Sequence, residues 1–386
     1  MMPKTQPHVY IVSVENSGDQ LGASLISALR QGHPKVQISG IGGPAMTSAG
    51  VPSDMAIEGL SILGFSEAVR AYPLVLRRVK TAVNLILNAK PDCVVLIDSW
   101  GFMIRLAQRL KQRGFRGKII KYVAPQVFAM REGRAKVLAK HVDHLLSIHD
   151  FDAHYFTEYG LAVTHVGNPM FDTDYDSGSA QALYERTGIS AGHKICAVFF
   201  GSRMSELNQL YAPLTHAISI LSRDYPDMVF ISPISDGLHE AFAERKKSEE
   251  MKPLICVPES AKYDLFAAAH VAIACSGTVT TQIASVGIPA VVAYRLKPLT
   301  WFFASRLFKQ NHVSLINISA GAPLMSERLQ NEATGENIAA DISILLDDRK
   351  HHAKISKALK RQADVMRGVG GSASKSAAAR ILELIA

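Results

Sequence analysis

Three small-residue turns carry the side chains best suited to chemistry, and each closes an apolar run and opens a helical pattern. The first, Glu15-Asn16-Ser17-Gly18-Asp19, ends the apolar run 9–14 and precedes apolar residues at helical spacing, Leu21, Leu25, Ile26 and Leu29. Two carboxylates and a hydroxyl thus stand where parallel α/β sheets bind ligands, at their carboxyl edge. Asp19 is equally suited to capping a helix. The second turn, Gly201-Ser202-Arg203 with Glu206 beyond it, follows the run 197–200. Arg203 presents a planar fork to two phosphate oxygens and is always charged. A cation at a helix start opposes the helix dipole, which favours a ligand over a role in helix stability. The third is Ser276-Gly277-Thr278, followed by Gln282. Free N–H groups at a helix start, two hydroxyls and a glycine allowing close approach suit a pyrophosphate. Many plain βα turns share these residues, so each turn alone is weak evidence.

The elements that must position these turns follow an alternating order. Strand-like runs lie at 9–14, 36–41, 93–98, 118–123, 144–148 and 163–166, then at 195–200, 228–232, 254–257, 271–275 and 290–294. Helical patterns lie between them, among them 73–90, 101–113, 205–223 and 263–269. Continuous apolar strands alternating with helices predict an α/β chain with parallel sheets covered on both faces. The acidic, polar segment 168–179 reads as a linker, and Gly368-Val-Gly-Gly-Ser precedes a final helix. The expected domains are 1–170 and 171–366, with a C-terminal helix in 367–386. Two Rossmann-like domains with their sheets facing across a cleft is the predicted architecture.

A length of 386 residues suits two cores rather than one. No stretch reaches the roughly 18 apolar residues of a membrane span, and the opening apolar run is too short for a signal peptide. A cytoplasmic protein, able to lie on a membrane, is expected. The net charge of +8 suits an anionic partner. No nucleic-acid-binding module is present, so no nucleic acid is expected. Cys93, Cys196, Cys256 and Cys275 sit singly in strand-like runs and read as buried free thiols. No metal site is expected: His239-Glu240 lacks the second histidine of a zinc hydrolase motif.

The ordered motifs resemble the lipid-A-disaccharide synthase family of inverting, GT-B glycosyltransferases. They are Glu15 with Ser17-Gly18-Asp19-x-Leu21-Gly22, Gly42-Gly43-Pro44-x-Met46, Lys90-Pro91-Asp92 leading to Ile97-Asp98, and Tyr122-Val-x-Pro125-x-Val127. Beyond these come Gly201-Ser202-Arg203-x-x-Glu206, Ser276-Gly277-Thr278, Tyr294-Arg295-x-Lys297-Pro298 and Val313-Ser314-Leu315-x-Asn317. The resemblance implies transfer of 2,3-diacylglucosamine from UDP to 2,3-diacylglucosamine 1-phosphate, without a cofactor. Asp98 would be the general base, with Glu15 assisting and Ser17 beside them. Gly201, Ser202, Arg203, Glu206, Ser276, Gly277, Thr278, Gln282 and Asn317 would line the UDP-sugar site. The first domain would take the lipid acceptor and the second the donor. Asp98 ends an apolar strand, which suits a base at the sheet edge, and capping the next helix is its structural alternative.

Diacylated substrates imply the cytoplasmic face of the inner membrane. Leu63, Phe65, Val69 and Tyr72, near Arg70, Arg77 and Arg78, suit an anionic leaflet, although core packing explains such a stretch equally well. Trp301 and Phe302 form a second such patch, between Lys297 and Arg306. The final helix either packs back on the first domain or exchanges within a homodimer.

The chain departs from the family pattern at several places. Asn16 replaces Thr, Ser99-Trp100-Gly101-Phe102 replaces small-Pro-acid-Phe, Asn168 replaces His, and Gln282 replaces Glu. His149-Asp150-Phe151-Asp152 stands where an apolar-Pro-Phe-Glu run is usual. The alternative reading is therefore a related glycosyltransferase, or an inactive paralogue binding UDP-sugar, with a different lipid acceptor. A UDP-sugar epimerase shares the architecture but would need acids and bases around the donor sugar, and only Glu206 and His216 offer themselves.

Overall fold

A strand covered on both faces favours apolar residues along its whole length, and the wholly buried run Cys93–Ile97 is apolar throughout. The computed structural model describes residues 6–60, 65–128, 133–248, 253–297, 301–302, 305–306, 308 and 310–386, with the backbone alone for 65–71 and 248. Its strands form two six-stranded sheets. The first holds β1 (His8–Val12), β2 (Gln37–Ile41), β3 (Cys93–Ile97), β4 (Lys118–Tyr122), β5 (His144–Ser147) and β6 (Val163–His165). Their order is β2-β1-β3-β4-β5-β6, parallel throughout. The second holds β7 (Lys194–Phe199), β8 (Met228–Ile234), β9 (Leu254–Pro258), β10 (Val271–Cys275), β11 (Ala290–Tyr294) and β12 (Ser326–Leu329). Here the order is β12-β11-β10-β7-β8-β9, again parallel.

The chain divides into two compact units. One runs to Asp172 and takes in Met366–Ala386; the other is Thr173–Val365. The final helix, Ala373–Ile385, buries Ala377, Ala378 and Ile381 in the cluster that holds Leu25, Ile26 and Leu29 of the helix Asn16–Gly32. Its approach is fixed at Gly167, whose φ of +92° favours glycine and whose added Cβ would lie 1.9 Å from the Arg367 carbonyl oxygen. Beside it the Asn168 N–H donates to the Met366 carbonyl, at 2.8 Å.

Three local readings of the sequence are corrected. The helix expected from 73 begins at Phe65 and runs through Pro73 to Ala89. Burial of Val75, Val79, Ala82, Val83 and Ile86 along one face outweighs the ~3 kcal/mol penalty of an internal proline. Strand β12, Ser-Glu-Arg-Leu, has no apolar run to betray it; it is a half-buried edge strand. Its Arg328 is clamped by both oxygens of Asp341, at 2.7 and 2.6 Å. Three of the four cysteines are buried, but Cys256 is exposed, on the edge strand β9, which has a neighbouring strand on one side only.

Asp19 is a structural carboxylate. It is 3% exposed and accepts hydrogen bonds from the N–H groups of Gly43, Ala45 and Met46, at 2.7, 2.8 and 3.2 Å. It thus caps the neighbouring helix Pro44–Ser48 and ties it to the helix Asn16–Gly32. Replacing Asp19 by Ala leaves those donors buried without an acceptor, and should destabilise this unit by about 3 kcal/mol. Thermal melting of the full chain would register the loss; a wild-type melting temperature would refute this role.

Candidate active site

A parallel sheet opens a ligand crevice where its strand order reverses, at the carboxyl ends of the two central strands. In the first sheet that point lies between β1 and β3. The turn carrying Glu15 follows β1, and Asp98 follows β3 directly. Asp98 and Ser99 both have positive φ, +49° and +37°, so the backbone kinks sharply before the helix Trp100–Gln112. That helix has no side-chain cap. Among the described residues, no hydrogen bond from the protein engages the half-buried Asp98 carboxylate. The kink presents Asp98 to a cavity of about 360 Å³, whose lining includes Trp100, Lys121, Val123, Gln126, Arg134 and His149. Glu15 sits half-buried and Ser17 exposed on the adjoining turn, and neither lines this cavity.

The cavity is cationic and aromatic. The Arg134 guanidinium lies 5.1 Å from the Trp100 ring centroid. Burial lowers the pKa of His149 to about 4, so its ring is neutral near neutral pH. Lys121 is only 2% exposed, and burial draws its pKa down to about 7 against the opposing pull of Asp98 and Glu15. The signal for Lys121 is a cation inside the strand Lys118-Ile-Ile-Lys121-Tyr, beyond the exposed Lys118 that opens it, and the strand reading passes over it. Asn168 is buried and does not line the cavity; its side-chain oxygen accepts from the Met170 N–H.

In the second sheet the order reverses between β7 and β10. The two turns leaving these strands border a cavity of about 280 Å³, lined by Gly201, Ser202, Arg203, Glu206, Ser276, Gly277, Thr278 and Gln282. The helices Met204–Asp224 and Thr278–Val286 both begin at its wall, so two positive dipole ends meet one space. Glu206 shapes the wall: its carboxylate accepts from the N–H groups of Ser202 and Arg203, at 2.9 and 3.3 Å. Gly201, at φ +98°, has no room for a side chain, since an added Cβ would lie 2.4 Å from Glu206 Oε2. The Arg203 side chain stays 78% exposed and contacts Glu206 only loosely, at 3.4 Å, so it can turn to a guest. Sequence reasoning missed Glu259 and Lys262, an ion pair at 2.7 Å on the same wall, and Tyr294. Glu259 and Lys262 stand in short helical elements without a recognisable motif, whereas Tyr294 ends β11 and opens the motif Tyr294-Arg295-x-Lys297-Pro298, which pointed to no role at this wall.

Asn317 lies elsewhere. It is fully buried, and its amide exchanges two hydrogen bonds with the Met325 backbone, at 2.8 and 3.0 Å. It secures the loop before β12 and does not line the second-unit cavity.

Of the apolar surface residues, Leu63 lies outside the described residues, as do the side chains of Phe65 and Val69. Tyr72 is 47% exposed beneath the Arg105 guanidinium, and Phe302 is 50% exposed beneath Arg306. Trp301 is half-buried. Leu60 and Val75 belong to the core.

Comparison with known proteins agrees with this fold. A family model described as lipid-A-disaccharide synthetase matches residues 9–382. The chain is 36% identical to the lipid-A-disaccharide synthase of Rhodospirillum centenum over 343 residues, covering 88% of this chain and 85% of that one. It is 35% identical to that of Paramagnetospirillum magneticum over 381 residues, covering 98% and 97%. The fold is also that of a solved structure, a putative UDP-N-acetylglucosamine 2-epimerase from Listeria monocytogenes. There the TM-score is 0.64 at 12% identity, over 93% of this chain and 94% of the other. With two Rossmann-like sheets of the GT-B kind and relatives that match it nearly end to end, the chain belongs to the lipid-A-disaccharide synthase family.

Proposed function

We propose that this glycosyltransferase of lipid A biosynthesis transfers 2,3-diacylglucosamine from UDP to the 6-hydroxyl of 2,3-diacylglucosamine 1-phosphate, with inversion. The observation that carries this reading is the Asp98 carboxylate, held at a strand-order reversal by a left-handed kink and engaged by no protein hydrogen bond among the described residues. Asp98 takes the proton of the acceptor hydroxyl as its oxygen attacks the anomeric carbon. The bond to the β-phosphate breaks on the opposite face, and UDP leaves. Arg203 and the two helix N-termini meet the charge that develops on the diphosphate, so the protein itself supplies the electrostatic stabilisation. Gln282 can both accept from and donate to the ribose hydroxyls. Glu15 and Ser17 assist from the adjoining turn, Glu15 through its charge. The first unit would serve the acceptor and the second the donor.

Tyr72, Trp301 and Phe302, each near a cation, fit contact with the anionic cytoplasmic face of the inner membrane. Among the described residues no helix is long and apolar enough to cross a membrane. A second reading, an altered acceptor, is favoured by one observation: Trp100 and Arg134 occupy the wall beside Asp98.

The decisive assay is disaccharide formation from the two named substrates in detergent. Wild-type protein should form product, and Asp98→Ala should lower kcat by about 10²–10⁴-fold while UDP binding is unchanged. UDP binding without product would redirect the proposal to another lipid acceptor or to an inactive paralogue. Arg203→Ala should raise the Kd for UDP about 10–100-fold, as loss of a charge-assisted hydrogen-bonding partner requires. Calorimetry would measure this, and an unchanged Kd would remove Arg203 from the diphosphate site. Activity should persist in excess chelator; a loss restored by a divalent cation would oppose the charge-stabilising role assigned to the protein.

A further inference from the structure

We infer that Lys121 is a positioning residue for the transfer reaction, because its ammonium ties together the backbone carbonyls from which the Asp98 side chain departs. Its Nζ donates to the carbonyl oxygens of Asp98 at 2.7 Å, Tyr122 at 3.0 Å and Leu96 at 3.3 Å. An ammonium has three hydrogens, and three carbonyls receive them. Two of these lie at the end of β3 and just beyond it, and the third ends β4, so one side chain laces both strand ends from the neighbouring strand.

The tether acts where the backbone most needs it. Lys90, Asp98, Ser99, Val123 and Gln330 are the non-glycine residues with positive φ among those described. Three of them stand beside the tethered carbonyls. Val123, at +71°, is β-branched, so its left-handed conformation is unfavourable in isolation. Such conformations are costly and persist only where the surroundings impose them. Without the Nζ contacts, Asp98 and Ser99 would be free to relax toward ordinary backbone angles and swing the carboxylate off its line. A displacement of about 1 Å in a reacting group can lower a rate ~10²-fold.

This inference rests on Asp98 being the base, and it makes the tether dependent on protonation. The groups facing Lys121 are Asp98 after β3 and Glu15 after β1, both anionic, with the neutral His149 after β5 and the cationic Arg134 of the helix Gly133–His141 on the shared cavity wall. Burial brings the loss of its third hydrogen close to neutral pH, at about 7. A neutral amine has two hydrogens for three carbonyls. The tether therefore holds at lower pH and loosens as pH rises.

The test compares wild-type protein with Lys121→Met, which keeps the bulk but not the donors, and Lys121→Arg, which keeps the charge. Lys121→Met should lose about 10²-fold in kcat, with the Kd for UDP within twofold of wild type. Amide hydrogen exchange at Asp98 and Ser99 should accelerate at least about tenfold, while exchange elsewhere in the first unit is unchanged. Wild-type kcat should fall along an alkaline limb starting near pH 7, and Lys121→Arg should recover part of the rate and move that limb upward. A Met variant that retains kcat within threefold, or that only melts earlier with an unaltered pH profile, overturns the inference. Should the Met variant fail to fold, an unmoved alkaline limb in Lys121→Arg overturns it equally. If wild-type protein forms no disaccharide, the reading of Asp98 fails separately, and exchange at Asp98 and Ser99 still decides whether the tether exists.

Discussion

Both candidate sites depend on one topological constraint. In each sheet the chain lays strands on one side of its first strand, then returns to build on the other side. Parallel strands require crossover helices, and helices on either side of the reversal diverge at the carboxyl edge. The two turns bordering that gap can face an open space without unpacking the sheet. Glu15 and Asp98 flank the gap in the first sheet, and the turns at Gly201 and Ser276 flank it in the second. The buried strands beneath are rigid enough to hold side chains at these edges in one place.

The two gaps are furnished differently. The second is neutralised by backbone: helix starts, glycines and hydroxyls suit a diphosphate, and Glu206 fixes the turn rather than reaching for a ligand. The first is a strained edge, where Asp98, Ser99 and Val123 adopt left-handed angles around the buried Lys121. A nucleotide diphosphate needs many weak donors, whereas proton abstraction needs one carboxylate aimed well. The contrast in construction follows the contrast in task.

Carboxylates that look alike in the sequence therefore hold different positions. Asp19 and Asp98 both stand at strand-to-helix turns, yet Asp19 is sealed by three backbone donors and Asp98 by none among those described. Asn317 keeps a family motif and Gln282 departs from the family pattern, but only Gln282 lines the second-unit cavity. Asn168, a departure from the family pattern, spends its side-chain oxygen on the Met170 N–H and does not line the cavity beside Asp98.

The sequence by itself determined the alternation of strands and helices, because continuous apolar runs and helical spacing are local signals of burial. Eleven of the strands described were legible in this way, and β12 was not, since an edge strand held by backbone pairing and the Arg328–Asp341 clamp needs no apolar run. The same local chemistry marked the turns at Arg203 and Ser276. What only the tertiary structure decided was which polar side chains remain available, because a hydrogen bond to a residue distant in the chain leaves no local trace. Asp19 meets a helix start 24 residues away in the chain, and Lys121 meets carbonyls on the strand beside its own. Their roles arise from strand order and crossover packing, which bring together groups that no spacing in the sequence relates.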